Sequence, residues 1–99
     1  MRILLLEDNK KLNETITKRL KMKNYNVASF TDGAEAYEKI TDGFSCFILD
    51  INVPNIDGIN ILRKIREFYE IVPVIIISAS VELDVIKQSY DFGCNDYLK

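Results

Sequence analysis

The chain has 99 residues, 47% apolar and 28% charged, which is the composition of one soluble globular domain. A net charge of −2 gives no electrostatic case for binding nucleic acid or an anionic membrane surface. Histidine is absent, so His-based zinc sites and Ser-His-Asp or Cys-His catalysis are excluded. No run approaches the ~18 apolar residues of a membrane helix. The opening Met1-Arg2-Ile3-Leu4-Leu5-Leu6-Glu7-Asp8 meets two acids too early for a signal peptide. A cytoplasmic protein without a membrane partner is expected. Cys46 and Cys94 stand far apart with no second set of ligands, and read as a small buried thiol and a loop thiol.

In chain order, Ile3 to Leu6 reads as a short apolar strand. Asn9 is suited to cap a helix whose Leu12, Ile16 and Leu20 form an i, i+4, i+8 stripe, with lysines opposite. That helix fades at Lys23-Asn24, and Val27 to Phe30 reads as the second strand. Asp32 with Glu35 three residues on is a capping-box-like start for a helix that turns Ala36, Tyr37 and Ile40 inward, ended by Gly43. Cys46 to Asp50 is an apolar run that stops in a carboxylate, and reads as a parallel strand buried on both faces. Gly58 opens a helix expected to bury Ile61, Leu62, Ile65, Phe68 and Tyr69. Pro73 bounds a β-branched strand, Val74 to Ile77; a helix with Val81, Val85 and Ile86 follows and stops at Gly93. Asp96-Tyr97-Leu98-Lys99 begins a fifth strand.

The order βαβαβαβαβ predicts an α/β domain with a parallel sheet and helices on both faces. No linker or internal repeat interrupts residues 1–99. Nothing after the fifth strand remains to cover the sheet, so the last helix is expected to be missing. A closing helix buries about four large apolar side chains at roughly 1.5–3 kcal/mol each. Losing such a contribution, on the order of 6–12 kcal/mol, rivals the ~5–15 kcal/mol that holds a domain together. The chain is therefore expected to be a fragment or to borrow cover from a partner, as a homodimer or by exchange of a strand or helix.

The chemistry gathers at strand ends. Glu7 and Asp8 follow the first strand directly, and Asp50 ends the third. If those strands are neighbours, three carboxylates converge, and such a cluster is tolerable only around positive charge. Hard oxygens without Cys or His suit Mg²⁺. Ser78 ends the fourth strand and is suited either to cap the next helix or to hydrogen-bond a phosphoryl oxygen. A carboxylate nucleophile, a divalent ion and in-line positioning are the parts of a phosphoryl-transfer site.

These residues carry a resemblance. Ile3-Leu4-Leu5-Leu6-Glu7-Asp8-Asn9, Leu49-Asp50-Ile51-Asn52-Val53-Pro54-Asn55-Ile56-Asp57-Gly58, Ile77-Ser78-Ala79 and Gly93-Cys94-Asn95-Asp96-Tyr97-Leu98 resemble, in that order, the receiver domain of two-component response regulators. The resemblance covers the whole chain. It implies a flavodoxin-like (CheY-like) five-stranded sheet of order 2-1-3-4-5. It also implies that Asp50 accepts a phosphoryl group from a sensor histidine kinase. Asp8 and Asp50 would ligate Mg²⁺ directly, Glu7 through water, and Asn52 through its carbonyl. Ser78 would be the switch hydroxyl and Tyr97 the switch aromatic. Such a domain assists its own phosphorylation and dephosphorylation rather than turning over a substrate. It relays the change to an output domain, commonly transcriptional, so DNA would be met only through that domain.

One position departs from the pattern. The family's phosphate-binding lysine falls seven residues after the glycine, which from Gly93 is one position past Lys99. The strand period of two turns Lys99 to the other side. Unless a local register shift presses Lys99 into the role, labelling by small phosphodonors is expected to be weak compared with a longer chain. Two other readings compete. A haloacid-dehalogenase-like phosphatase would need an acid two residues after the nucleophile, where Asn52 stands and cannot exchange a proton. A flavin site would need a phosphate loop where Glu7 and Asp8 repel phosphate. The remaining alternative is a receiver-like interaction module that works without phosphorylation.

Overall fold

A computed structural model describes residues 1–51, 58–78 and 83–98, the side chains of residues 83–85 and Tyr97 excepted. The elements are β1 (Arg2–Leu6), α1 (Lys10–Met22), β2 (Asn26–Phe30), α2 (Gly33–Lys39), β3 (Cys46–Asp50), α3 (Gly58–Phe68), β4 (Val74–Ile77), α4 (Leu83–Asp91) and β5 (Asp96–Leu98). The sheet order is β2-β1-β3-β4-β5, with every pairing parallel.

Local chemistry sets the boundaries. Asn9 has extended backbone, and its side chain accepts from Leu12 N at 3.0 Å, opening α1. Lys23 closes that helix, and Asn24 turns the chain at φ 68°, a left-handed conformation that Asn tolerates better than most side chains. Asp32 caps α2 by accepting from Ala34 N at 2.7 Å. At the end of α4, Gly93 stands at φ 97°. Its N–H donates to Tyr90 O, and Cys94 N donates to Ser89 O, both at 3.0 Å. That pair of bonds is the Schellman closure, and it aims the chain into β5.

The two faces of the sheet differ. On one, Leu4, Leu6, Phe47, Leu49, Val74 and Ile76 are buried against Ala36 and Ile40 of the α2 segment and Ile61, Leu62 and Ile65 of α3. The α3 helix also packs on α2 and α4. On the other, α1 lies over β1 and β2. Ile3 and Leu5 are buried, whereas Ile48, Ile75 and Ile77 are half-buried and Leu98 is 48% exposed. Among the described residues, β3 and β4 are therefore only partly covered on this second face, contrary to the expectation from their continuous apolar runs. A period of one in hydrophobicity reports what a strand could bury, and the cover depends on which helix lies above.

Two helix faces also differ from expectation. On α1 the inward stripe is Asn13, Ile16, Thr17 and Leu20, with Leu12 45% exposed at its flank. Apolar spacing missed this because the best-buried side chain of the helix is polar. On α3, Phe68 is 57% exposed. Tyr69 takes the inward place, its hydroxyl donating to Ile40 O and accepting from Gly43 N and Phe44 N. Phe68, one residue earlier and so about 100° around the helix, sets its ring edge-on against the Tyr69 ring. Both cysteines are free and buried, and burial raises both thiol pKa values. Val81 and the Val85 side chain lie outside the described residues.

Candidate functional site

The register of β1 on β3 builds the site. Leu6 pairs with Leu49, so the next residues, Glu7 and Asp50, leave adjacent strands side by side at the carboxyl edge. One carboxylate oxygen from each of Glu7, Asp8 and Asp50 lies within 4.8 Å of the others. Glu7 is 4% exposed, Asp50 half-buried and Asp8 exposed. Glu7 N continues the β1–β2 ladder by donating to Phe30 O at 3.0 Å. Its carboxylate accepts from Asn9 N at 3.1 Å, turning inward over the start of α1.

The electrostatics are those of crowded acids. Burial, then the neighbouring Asp50, push the Glu7 carboxyl up to about 7, against the opposing Asn9 N–H bond. A cluster of three carboxylate oxygens without nitrogen or sulfur suits a hard divalent cation.

Ser78 is buried directly after β4, with its N–H donating to Leu98 O at 2.9 Å. β4 is paired to β3 with Ile77 opposite Asp50, which brings Ser78 to the same edge. Glu7, Asp50 and Ser78 open into one groove with Leu12, Ile16 and Ile77. Two other clefts run along α1, one beside Lys18 and Lys21 and the other beside Lys18 and Arg19, and neither gathers a set of carboxylates. The structure thus brings together four of the six predicted site residues. Asn52, the Tyr97 side chain and Lys99 lie outside the described residues, although the Tyr97 backbone pairs with Ile76 in β5.

Close packing holds the end of β3. A Cβ on Gly58 would sit 2.6 Å from Ile51 Cβ and 2.7 Å from Ile51 Cγ2. Only glycine lets the first turn of α3 approach the residue after Asp50 this closely. Asn13 is a site-supporting residue that sequence reasoning missed. It is buried, and its Nδ2 donates to Glu7 O at 3.0 Å and Phe30 O at 2.9 Å. Its spacing four residues after the Asn9 cap is the only signal, and a weak one.

Such an edge, with polar groups collected beyond the strand ends, defines the ligand-binding class of open parallel α/β domains. The sequence profile described as the response regulator receiver domain matches residues 3–99. The chain belongs to that family, a signalling domain of two-component systems. It is 39% identical over 97 residues to the transcriptional regulatory protein CssR of Bacillus subtilis, covering 97% of this chain and 43% of that one. It is 36% identical over 99 residues to the transcriptional regulatory protein HprR of Escherichia coli, covering 99% and 44%. The chain therefore spans less than half the length of these curated relatives. Among solved structures, a CheY-like receiver domain from Methanospirillum hungatei superposes with TM-score 0.93 at 22% identity, covering 98% of this chain and 78% of that one. A phosphorylated cyanobacterial phytochrome response regulator, RcpA, superposes with TM-score 0.85 at 29% identity, covering 99% and 79%. Among the described residues, no helix is long and apolar enough to cross a membrane.

Proposed function

We propose that residues 1–99 act as one receiver unit whose Asp50 takes a phosphoryl group from a sensor histidine kinase in a Mg²⁺-dependent reaction. The observation that carries this is the convergence of Glu7, Asp8 and Asp50 from two adjacent strands to within 4.8 Å. RcpA, at 29% identity, is described as phosphorylated, which supports the same chemistry here. Mg²⁺, held by Asp8, Asp50 and the Asn52 carbonyl and through water by Glu7, would neutralise the acids and the incoming phosphoryl oxygens.

The chain's own residues then divide the work. An Asp50 carboxylate oxygen attacks phosphorus, the P–N bond of the phosphohistidine breaks, and its electron pair leaves on the imidazole nitrogen. Exposed Asp8 keeps the cation side open to water. Ser78, buried at the same edge, donates a hydrogen bond from its hydroxyl to a phosphoryl oxygen, and Tyr97 would follow as the switch aromatic. The product carries an added charge of roughly −1 to −2, which is the signal passed to an output domain or partner. The transcriptional relatives favour a DNA-binding output. The domain assists its own phosphorylation and dephosphorylation and has no separate substrate to turn over. In the same reading, the half-open face of Ile48, Ile75, Ile77 and Leu98 is where a second copy or an exchanged strand or helix adds cover. A strict monomer by sedimentation velocity at all concentrations removes that part.

The test is phosphodonor labelling followed by mass spectrometry. Incubation with a kinase or a small phosphodonor should add one phosphoryl group, only with Mg²⁺ and not in Asp50→Asn. Binding partners retained with no label under any condition would favour the phosphorylation-independent module instead.

A further inference from the structure

Asn13 is 5% exposed on a helix whose other inward residues are at most half-buried. Burying a primary amide costs free energy unless its donors and acceptor are satisfied. Here all three are. Both Nδ2 protons are directed at carbonyls, Glu7 O at 3.0 Å and Phe30 O at 2.9 Å, while Oδ1 accepts from Thr17 Oγ1 at 3.3 Å. The two carbonyls belong to the last residue of β2 and to the acid that follows β1. A carbonyl pair admits only a donor, so the network fixes which end of the amide faces the sheet.

The bonds close a ring. The Asn13 N–H donates to Asn9 O at 2.8 Å, Asn9 N donates to the Glu7 carboxylate at 3.1 Å, and the Asn13 side chain returns to the Glu7 backbone. Glu7 is therefore held at its backbone by Asn13 and at its carboxylate by Asn9, and Asn9 is held by Asn13. The Glu7 N–H is itself bonded to Phe30 O, so the Asn13 side chain is the second tie that clamps the ends of β1 and β2 together just where the acidic turn begins.

We propose that Asn13 is a positioning residue of the acidic site, fixing the turn through Glu7 and Asp8 so that their oxygens meet Asp50 ready for a divalent cation. The inference rests on the cation-dependent reading of the site. Groups that orient ligands from behind typically change metal affinity by about 10–100-fold when removed.

The test is cation affinity measured with Mn²⁺ by electron paramagnetic resonance, alongside thermal stability. Asn13→Ala should weaken Mn²⁺ about 10-fold and speed hydrogen exchange at the Glu7 amide. Leu20→Ala, on the same helix face but far from the acids, should lower the melting temperature while keeping the unsubstituted affinity. Undiminished Mn²⁺ binding by Asn13→Ala, or equal weakening in Leu20→Ala, overturns the proposal. If Asn13→Ala does not fold, Thr17→Val decides. Loss of the hydroxyl should weaken Mn²⁺ by a smaller, measurable factor, and unchanged affinity there overturns the proposal. An unsubstituted chain that binds no Mn²⁺ overturns the proposed function itself, and this inference with it.

Discussion

Between pH 4.5, the ordinary value for a glutamate, and about 7, the folded chain keeps a proton on Glu7 that the unfolded chain releases. The folded state binds more protons across that window, so stability falls as pH rises through it and stays lower above it. Without divalent ions, the melting temperature should therefore drop between pH 5 and pH 7.5, and Glu7→Gln should flatten that drop. Added Mg²⁺ should stabilise strongly at pH 7.5 and little at pH 5, because at low pH it competes with the proton. Gly58 is the second residue on which the site depends. Gly58→Ala must push Ile51 away from α3, at a cost of about 1–3 kcal/mol from overpacking. The same shift should disturb Asp50, so its labelling rate should fall further than the stability loss explains.

At the level of elements, α3 is the strut that ties the edges together. Tyr69 holds the turn between α2 and β3 through three hydrogen bonds. Arg66 reaches the far side, donating from Nε to Gly93 O at 2.9 Å and from Nη2 to Asn95 Oδ1 at 3.0 Å. Tyr69→Phe leaves the part-buried Phe44 N–H and Ile40 carbonyl, and the exposed Gly43 N–H, without that partner and should cost about 1–3 kcal/mol by urea denaturation. It should leave Mn²⁺ affinity unchanged, since the turn lies at the opposite end of the sheet. Elements whose partners are backbone groups of their own segment were legible in the sequence. The caps at Asn9 and Asp32 and the stop at Gly93 are of that kind. The inward faces of α1 and α3 were less so. Asn13 is buried because distant carbonyls need donors, and Phe68 is exposed because the Tyr69 hydroxyl has a better use for the inward position. Both reasons lie in tertiary structure, outside any local window.

For the whole molecule, the acidic site depends on topology more than on any single motif. Glu7-Asp8 and Asp50 are more than forty positions apart in the sequence, and only the parallel pairing of β1 with β3 makes them neighbours. That pairing could be anticipated from the resemblance of the motifs, and the acids themselves were evident from composition at the strand ends. The asymmetry of the sheet was not visible in the same way. Among the described residues, four helices alternate with the strands, yet on the face bearing Leu5, Ile48 and Ile75 it is α1 that gives cover, over β1 and β2. An apolar groove with Leu12 and Leu98 at 45% and 48% exposure therefore runs to the acids. It should bind a hydrophobic dye such as ANS in the folded state, and Leu12→Glu with Leu98→Glu should abolish the signal without loss of far-UV circular dichroism.

The proposition beneath these predictions is that two strand ends jointly make one cation site. Titrating the unsubstituted chain with Mg²⁺ while following backbone amide resonances tests it directly. Saturable shifts should centre on Glu7, Asp8 and Asp50 and should vanish in Asp50→Asn. Shifts that never saturate, or that survive the loss of the residue 50 carboxylate, would contradict it.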